Sequence, residues 1–225
     1  MAVTPQGLAS LYPLLYHMAE PDSWESISKY GLLSTSALLT LFAINDAKRQ
    51  EIESCKRAES IEIKHPTHGH AVIRDQKPII ESKLETALQD CTVEEWYRLL
   101  NKRVFFWLTM ERLITLLSAR EYRKKPHTIL TLETLPLVTD YEASITLSPM
   151  NSGNTLPIAH PRGSKTFLSL KDYPFAERLK RGPYYTVVEL AVEGGVKNIL
   201  DYTIRVDVMA SDGEGIQTIK TLHTC

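Results

Sequence analysis

Helical periodicity gathers in the first half of this chain and strand periodicity in the second, with no regular strand–helix–strand alternation. That distribution narrows the fold more than any other feature. A parallel sheet needs a crossover helix between neighbouring strands, whereas strands that follow one another close in sequence pair antiparallel. The expected architecture is therefore α+β, with mainly antiparallel sheets forming a split core and helices drawn mainly from the N-terminal half. The 225 residues suit one domain spanning 1–225, because no linker or internal repeat divides them.

Local signals place the elements. Leu11 to His17 is an apolar, aromatic run that reads as a strand. Asp22 and Glu25 have capping-box spacing for a short helix stopped by Gly31. Helices are expected over 34–44, 46–58 and 81–89, and another opens at the Thr92-x-x-Glu95 box. Ser60 to Lys64 and Ala71 to Arg74 read as short strands around a His-rich turn. Arg103 to Leu108 is the most strand-like segment, and Thr109 then opens a helix with Met110, Leu113, Ile114 and Leu117 on one face. Further strands are expected over 128–132, 144–147, 184–192 and 201–209. In the last of these, Tyr202, Ile204, Val206 and Val208 alternate with Thr203, Arg205 and Asp207, so one face is buried and the other wet. The tail beyond Ser211 is polar and carries no signal.

Composition excludes several classes. Lys and Arg number 26 against 27 Asp and Glu, which rules out a strongly basic nucleic-acid coat but not a local patch. No apolar run approaches the ~18–20 residues that span a bilayer. Three cysteines without paired spacing argue for a reducing compartment. With no Lys or Arg before Lys29, the N-terminus lacks the charged start of a secretory signal. A cytoplasmic protein without membrane contact is expected.

Few residues break the pattern in a way that points to chemistry. Glu189 places a charge inside TVVELAV, where it must face solvent, a partner or a cleft. It reads either as a surface carboxylate at a wet strand end or as a catalytic carboxylate; Glu193 is a weaker rival. His17 ends the first strand, where a histidine either bonds structurally or faces a ligand. Residues 148–183 form a long aperiodic stretch, a kind of loop more often functional than not. Within it, Asn151-Ser152-Gly153-Asn154 and Pro161-Arg162-Gly163-Ser164-Lys165 could wrap a phosphate with backbone amides, or be ordinary turns. Arg74 reads either as a similar phosphate candidate or as one end of a surface salt bridge. His65, His68 and His70 lack a metal-site spacing and suit a solvated turn better than a metal centre, so no metal is expected. Arg120, Arg123, Lys124 and Lys125 either meet nucleic acid or complement a helix dipole.

Three stretches carry a resemblance. LYHMAEPDSWESISKYGLLS resembles the opening of ADP-ribosyltransferase-fold proteins, a strand ending in His and then a helix ending in Gly-Leu, shared by DarT-like toxins and RNA 2'-phosphotransferases. RVFFWLT resembles the aromatic strand of DarT-like enzymes, and VVELAVEGGVKNI resembles their late strand bearing a catalytic glutamate. Through AVIRDQKP, RVFFWLT and NSGNTLP, the whole chain is also similar to an uncharacterised bacterial domain family.

This resemblance implies an NAD-dependent ADP-ribosyltransferase of toxin or defence type. NAD would be its substrate, DNA, RNA or protein the acceptor, and an antitoxin a possible partner. It implies that His17 bonds the ribose next to nicotinamide and Arg74 pairs with the pyrophosphate. Phe106 and Trp107 would line or support the nicotinamide pocket, with Asn151 and Ser152 beside the cofactor. Glu189 would be catalytic, and 148–183 would recognise the acceptor. An RNA 2'-phosphotransferase and a non-catalytic nucleotide- or nucleic-acid-binding module are the alternatives.

Overall fold

The computed structural model describes residues 3–212 and 215–225. Helix α1 (Pro5–Leu11) precedes β1 (Leu14–Ala19), so the run expected as one strand from Leu11 begins instead as a helix end and turns at Pro13. Thr4 caps α1 by accepting the Gly7 amide, with Pro5 in the first turn. Next come α2 (Trp24–Tyr30), β2 (Leu32–Leu33), α3 (Thr35–Leu41) and α4 (Asp46–Ser54). The expected Asp22–Glu25 capping box does not form: Asp22 takes φ 61° and Ser23 is the cap residue, without a side-chain bond. The hairpin β3 (Ile61–His65) and β4 (Gly69–Ile73) turns through the His-rich segment as expected.

Helices α5 (Glu81–Ala87) and α6 (Val93–Asn101) lead into β5 (Arg103–Trp107), and α7 (Met110–Leu117) into β6 (His127–Glu133). The Thr92–Glu95 capping box and the Thr109 cap both form. After α8 (Thr134–Asp140) come β7 (Ile145–Ser148), β8 (Leu168–Ser169), α9 (Phe175–Leu179), α10 (Pro183–Thr186), β9 (Glu189–Glu193), β10 (Gly195–Val196), β11 (Thr203–Ser211) and β12 (Ile216–Thr224). Residues 183–186 are thus a helical turn and not the start of a strand. The tail that carried no signal contributes β12, a sheet edge.

Eight strands form one sheet in the order β12-β11-β6-β1-β5-β9-β7-β8, and every registered pair is antiparallel. The α+β, antiparallel expectation holds. On one face α1, α2 and α8 bury Leu8, Ile27, Leu137 and Val138 against Leu15, Phe106, Leu130 and Leu190. On the other, α7 packs Leu113 and Leu117 against Tyr16, Met18 and Ile129. Two smaller clusters hold α3 and α4 on the β3–β4 hairpin, and α5 and α6 around Trp96 and Phe167.

The clean alternation expected for β11 is broken by register shifts against both neighbours. Asp207, expected to be wet, is 5% exposed and accepts from Arg205 and from Thr221 of β12.

The sheet is nearly divided at its centre. Residues 14–19 of β1 all pair with β6, whereas β1 meets β5 at one registered position, Tyr16↔Trp107. The two halves are tied again at the side by β2 with β10. That second contact depends on two glycines with positive φ. A Cβ on Gly31 would lie 2.6 Å from Lys197 Cα, and one on Gly195 2.3 Å from the Leu32 carbonyl oxygen.

Candidate active site

A cleft of about 340 Å³ opens where β1 and β5 part. Its lining comes from the end of β1, the α2–β2–α3 segment, β4 and residues 74–76, β5, loop 151–153 and Glu189. Of the residues singled out in the sequence, His17, Arg74, Trp107, Asn151, Ser152 and Glu189 all line it.

Glu189 is the first residue of β9, flanked by Trp107 on β5 and Ser148 on β7. Its side chain is 3% exposed, which removes the surface-carboxylate alternative; Glu193, at the strand's far end, is exposed. The Ser152 amide donates to Glu189 Oε2 at 3.0 Å. Burial raises the carboxyl pKa from 4.5 to about 7, against the opposing pull of the Ser152 bond and of Arg162 and Arg112. A carboxyl poised there changes charge within the physiological range, a property enriched at active sites.

His17 donates from Nδ1 to the Phe105 carbonyl at 2.8 Å. A carbonyl only accepts, so Nδ1 carries the proton and Nε2 is the acceptor nitrogen of the neutral ring. Burial is the main cause that lowers its pKa to about 4, and Arg74 adds to it. His17 is therefore a neutral acceptor at pH 7.

Arg74 donates from Nη1 to the Met18 carbonyl at 2.9 Å, stands 3.8 Å from Glu20 and lies over the Tyr122 ring at 4.4 Å. Among the described residues its Nη2 is buried with no hydrogen-bond partner. An orphaned guanidinium donor in a cleft fits an acceptor brought by a ligand.

The aromatic strand divides its rings between two faces. Phe106 is 0% exposed and belongs to the core, so it does not line the cleft; its ring packs 5.7 Å from that of His17 and supports it from behind. Phe105 and Trp107 alternate onto the cleft side. Phe105, which the sequence did not single out, lines the cleft beside Trp107, while Phe106 supports the site from the core.

The loop beyond β7 is ordered by its own polar residues. Asn151 accepts the Gly153 amide, Asn154 accepts the Leu156 amide, and Thr155 bonds to Pro78 and Ile80. Of its two phosphate-loop candidates, the second is already occupied. Asp90 accepts the Ser164 amide, Thr166 accepts the Gly163 amide, and Arg162 is buried.

Arg57 also lines the cleft and was not legible beforehand. It donates to the carbonyls of Arg74 and Ile52 and to the Gln76 side chain, fixing the segment that carries Arg74. Burial lowers its pKa to about 10, still a cation at neutral pH. Nothing in Lys56-Arg57 distinguishes it in sequence from a surface base.

His65 and His68 stack at 4.5 Å and pack on Tyr30 and Phe42. Among the described residues no group of three or more His, Cys, Asp or Glu could hold a metal ion. Arg120, Arg123, Lys124 and Lys125 are exposed in the turn around buried Tyr122. No helix of the described residues is long and apolar enough to cross a membrane.

Fold and cleft together define an antiparallel α+β protein with a buried carboxyl, a neutral histidine and, among the described residues, a guanidinium Nη2 without an acceptor around one cavity. The chain belongs to the family of unknown function DUF7002, whose model matches residues 13–203. No curated protein and no solved structure matches it.

Proposed function

We propose that this protein is an NAD-dependent ADP-ribosyltransferase, built on the ADP-ribosyltransferase fold and of the DarT-like, toxin or defence type. The reading is carried by one observation: the buried Glu189 carboxyl shares a cleft, at the parting of β1 and β5, with the acceptor nitrogen of neutral His17. The resemblances of three stretches in the right order add to it.

The cleft residues fit NAD as substrate. The unpartnered Arg74 Nη2 suits a pyrophosphate oxygen, and Arg57 holds Arg74 in place. His17 Nε2 accepts from a ribose hydroxyl. Trp107 and Phe105 present aromatic surface to the nicotinamide ring. Loss of nicotinamide develops positive charge on the ribose, and a fixed carboxylate stabilises that charge more in the transition state than in the ground state. Glu189 on a strand is so fixed. The pyridinium of NAD is itself a cation, so binding favours the ionised carboxylate. The segment 148–183 carries the surface for the acceptor, a nucleic acid or a protein, and an antitoxin would act by covering it.

The test is incubation of the protein and its Glu189→Gln variant with labelled NAD and separate pools of DNA, RNA and cell protein. Label transferred by the wild type alone supports the reading and names the acceptor class. Release of 2'-phosphate from a phosphorylated RNA points to the RNA 2'-phosphotransferase instead. NAD binding without nicotinamide release would replace the enzyme with a binding module.

A further inference from the structure

Arg162 is 1% exposed, yet among the described residues no carboxylate lies within salt-bridge distance of its guanidinium. An unpaired buried cation is expensive, so its placement needs a compensating set of contacts. They are all neutral acceptors. Nε donates to the His160 carbonyl and Nη1 to the Ser152 carbonyl, each at 3.0 Å, and the guanidinium lies 5.8 Å from the Trp96 ring centre. The main chain is clamped as well: the Arg162 amide donates to the Ala87 carbonyl, and its carbonyl accepts from the Gln89 amide. Arg162 is thus fixed to the end of α5, and from there it holds Ser152.

Ser152 is itself buried, and its amide is the donor to Glu189 Oε2. The contacts run in series, from α5 through Arg162 to Ser152 and on to Glu189. We propose that Arg162 is a positioning residue: through its bond to the Ser152 carbonyl it sets the Ser152 amide against Glu189. The inference rests on reading Glu189 as the reactive carboxylate. Two cations bear on that carboxyl, Arg162 from the loop and Arg112 from α7, and both favour its charged form. Only Arg162 also reaches it through a hydrogen-bonded residue.

The experiment is NMR on the full chain, with carboxyl-labelled glutamate and the Glu189→Gln variant to assign the Glu189 signal. In the wild type, the Arg162 Nε resonance is expected to shift with the same midpoint as the Glu189 carboxyl. In Arg162→Met the carboxyl midpoint moves to higher pH, and the Ser152 amide exchanges at least about ten-fold faster. Arg162→Lys restores the charge without the double donor, so the midpoint returns toward wild type while Ser152 stays loosened. NAD turnover in Arg162→Met falls on the order of 10²-fold in kcat with little change in KM, as expected for a displaced catalytic group.

A folded Arg162→Met protein with unchanged midpoint and Ser152 exchange overturns the proposal. If that variant does not fold, the wild-type titration decides alone, and an Arg162 resonance indifferent to the carboxyl overturns it. These signals need no NAD. Coupling found in a protein that never turns NAD over would sink the enzymatic reading and leave the coupling of Arg162 to Glu189 standing.

Discussion

The Nδ1–H of His17 donates to the main-chain carbonyl of Phe105 at 2.8 Å, where β1 and β5 have parted after their single registered pair at Tyr16 and Trp107. A side chain thus supplies the donor that a neighbouring strand would otherwise give, and the sheet can open into a cleft without leaving that carbonyl unpaired.

Replacing this donor is therefore expected to cost stability as well as function. His17→Leu leaves the Phe105 carbonyl without its partner, a loss of about 1–3 kcal/mol. Urea denaturation at pH 7.5 measures it. His17→Gln, which retains a donor, should lose less; equal losses would mean that the bond contributes nothing.

Glu189 should make the fold less stable while serving the site. Its folded pKa of about 7 lies above its ordinary 4.5. Between these values the unfolded chain gives up a proton that the fold keeps, so stability falls as pH rises from about 4.5 to 7 and stays lower above. The displacement corresponds to roughly 3 kcal/mol. Glu189→Gln is expected to melt higher than wild type at pH 8, with the difference vanishing below pH 5. His17 runs the other way: its folded pKa near 4 lies below 6.5, so its contribution is lost as pH falls from 6.5 to 4. The two slopes oppose each other over pH 4.5–6.5. Glu189→Gln should therefore expose a stability that rises with pH in that interval, and a flat profile there would contradict the buried, neutral state of His17.

Two adjacent glycines should respond very differently to alanine. Gly194 and Gly195 both have positive φ, 76° and 106°, but a Cβ on Gly194 meets nothing within 4 Å. Gly194→Ala is expected to cost about 1 kcal/mol from backbone strain alone. Gly195→Ala adds a clash with the Leu32 carbonyl and should separate β10 from β2, with a loss well above that. Melting temperatures of the two variants check the difference, and equal shifts would remove the case for a required close approach at Gly195.

Local chemistry made much of this legible in sequence. The Thr92–Glu95 box, the Thr109 cap and the helical face of Leu113 and Leu117 act within one or two turns, so the residues that form them can be read side by side. Glu189 stood out for a similar reason, since a charge in an apolar strand has few resting places. What stayed hidden depends on the third dimension. Strand β12 has too polar a composition to announce itself and exists because β11 offers an edge. Arg57 and Arg162 look like surface bases, and only long-range packing buries them against carbonyls. Which of Phe105 and Phe106 lines the cleft follows from a strand phase that the run of aromatics conceals, because both faces of β5 are apolar.

That strand phase gives the last prediction. Phe106 fills the core beneath the sheet and Trp107 faces the cleft, so their truncations should separate stability from binding. Phe106→Ala is expected to lose about 3–5 kcal/mol, the cost of a large cavity in a packed core. Its folded fraction should bind NAD nearly as wild type does, apart from what a loosened His17 ring forfeits. Trp107→Ala removes a half-buried ring, with a smaller loss of roughly 1–2 kcal/mol. It should weaken NAD about ten-fold, in line with one lost aromatic contact. Calorimetric titration with NAD, beside urea denaturation of each variant, resolves the two quantities. If Phe106→Ala weakened binding more than Trp107→Ala in protein shown to be folded, the nicotinamide would have to sit on the opposite face of β5, and the cleft at the β1–β5 parting would not be the NAD site.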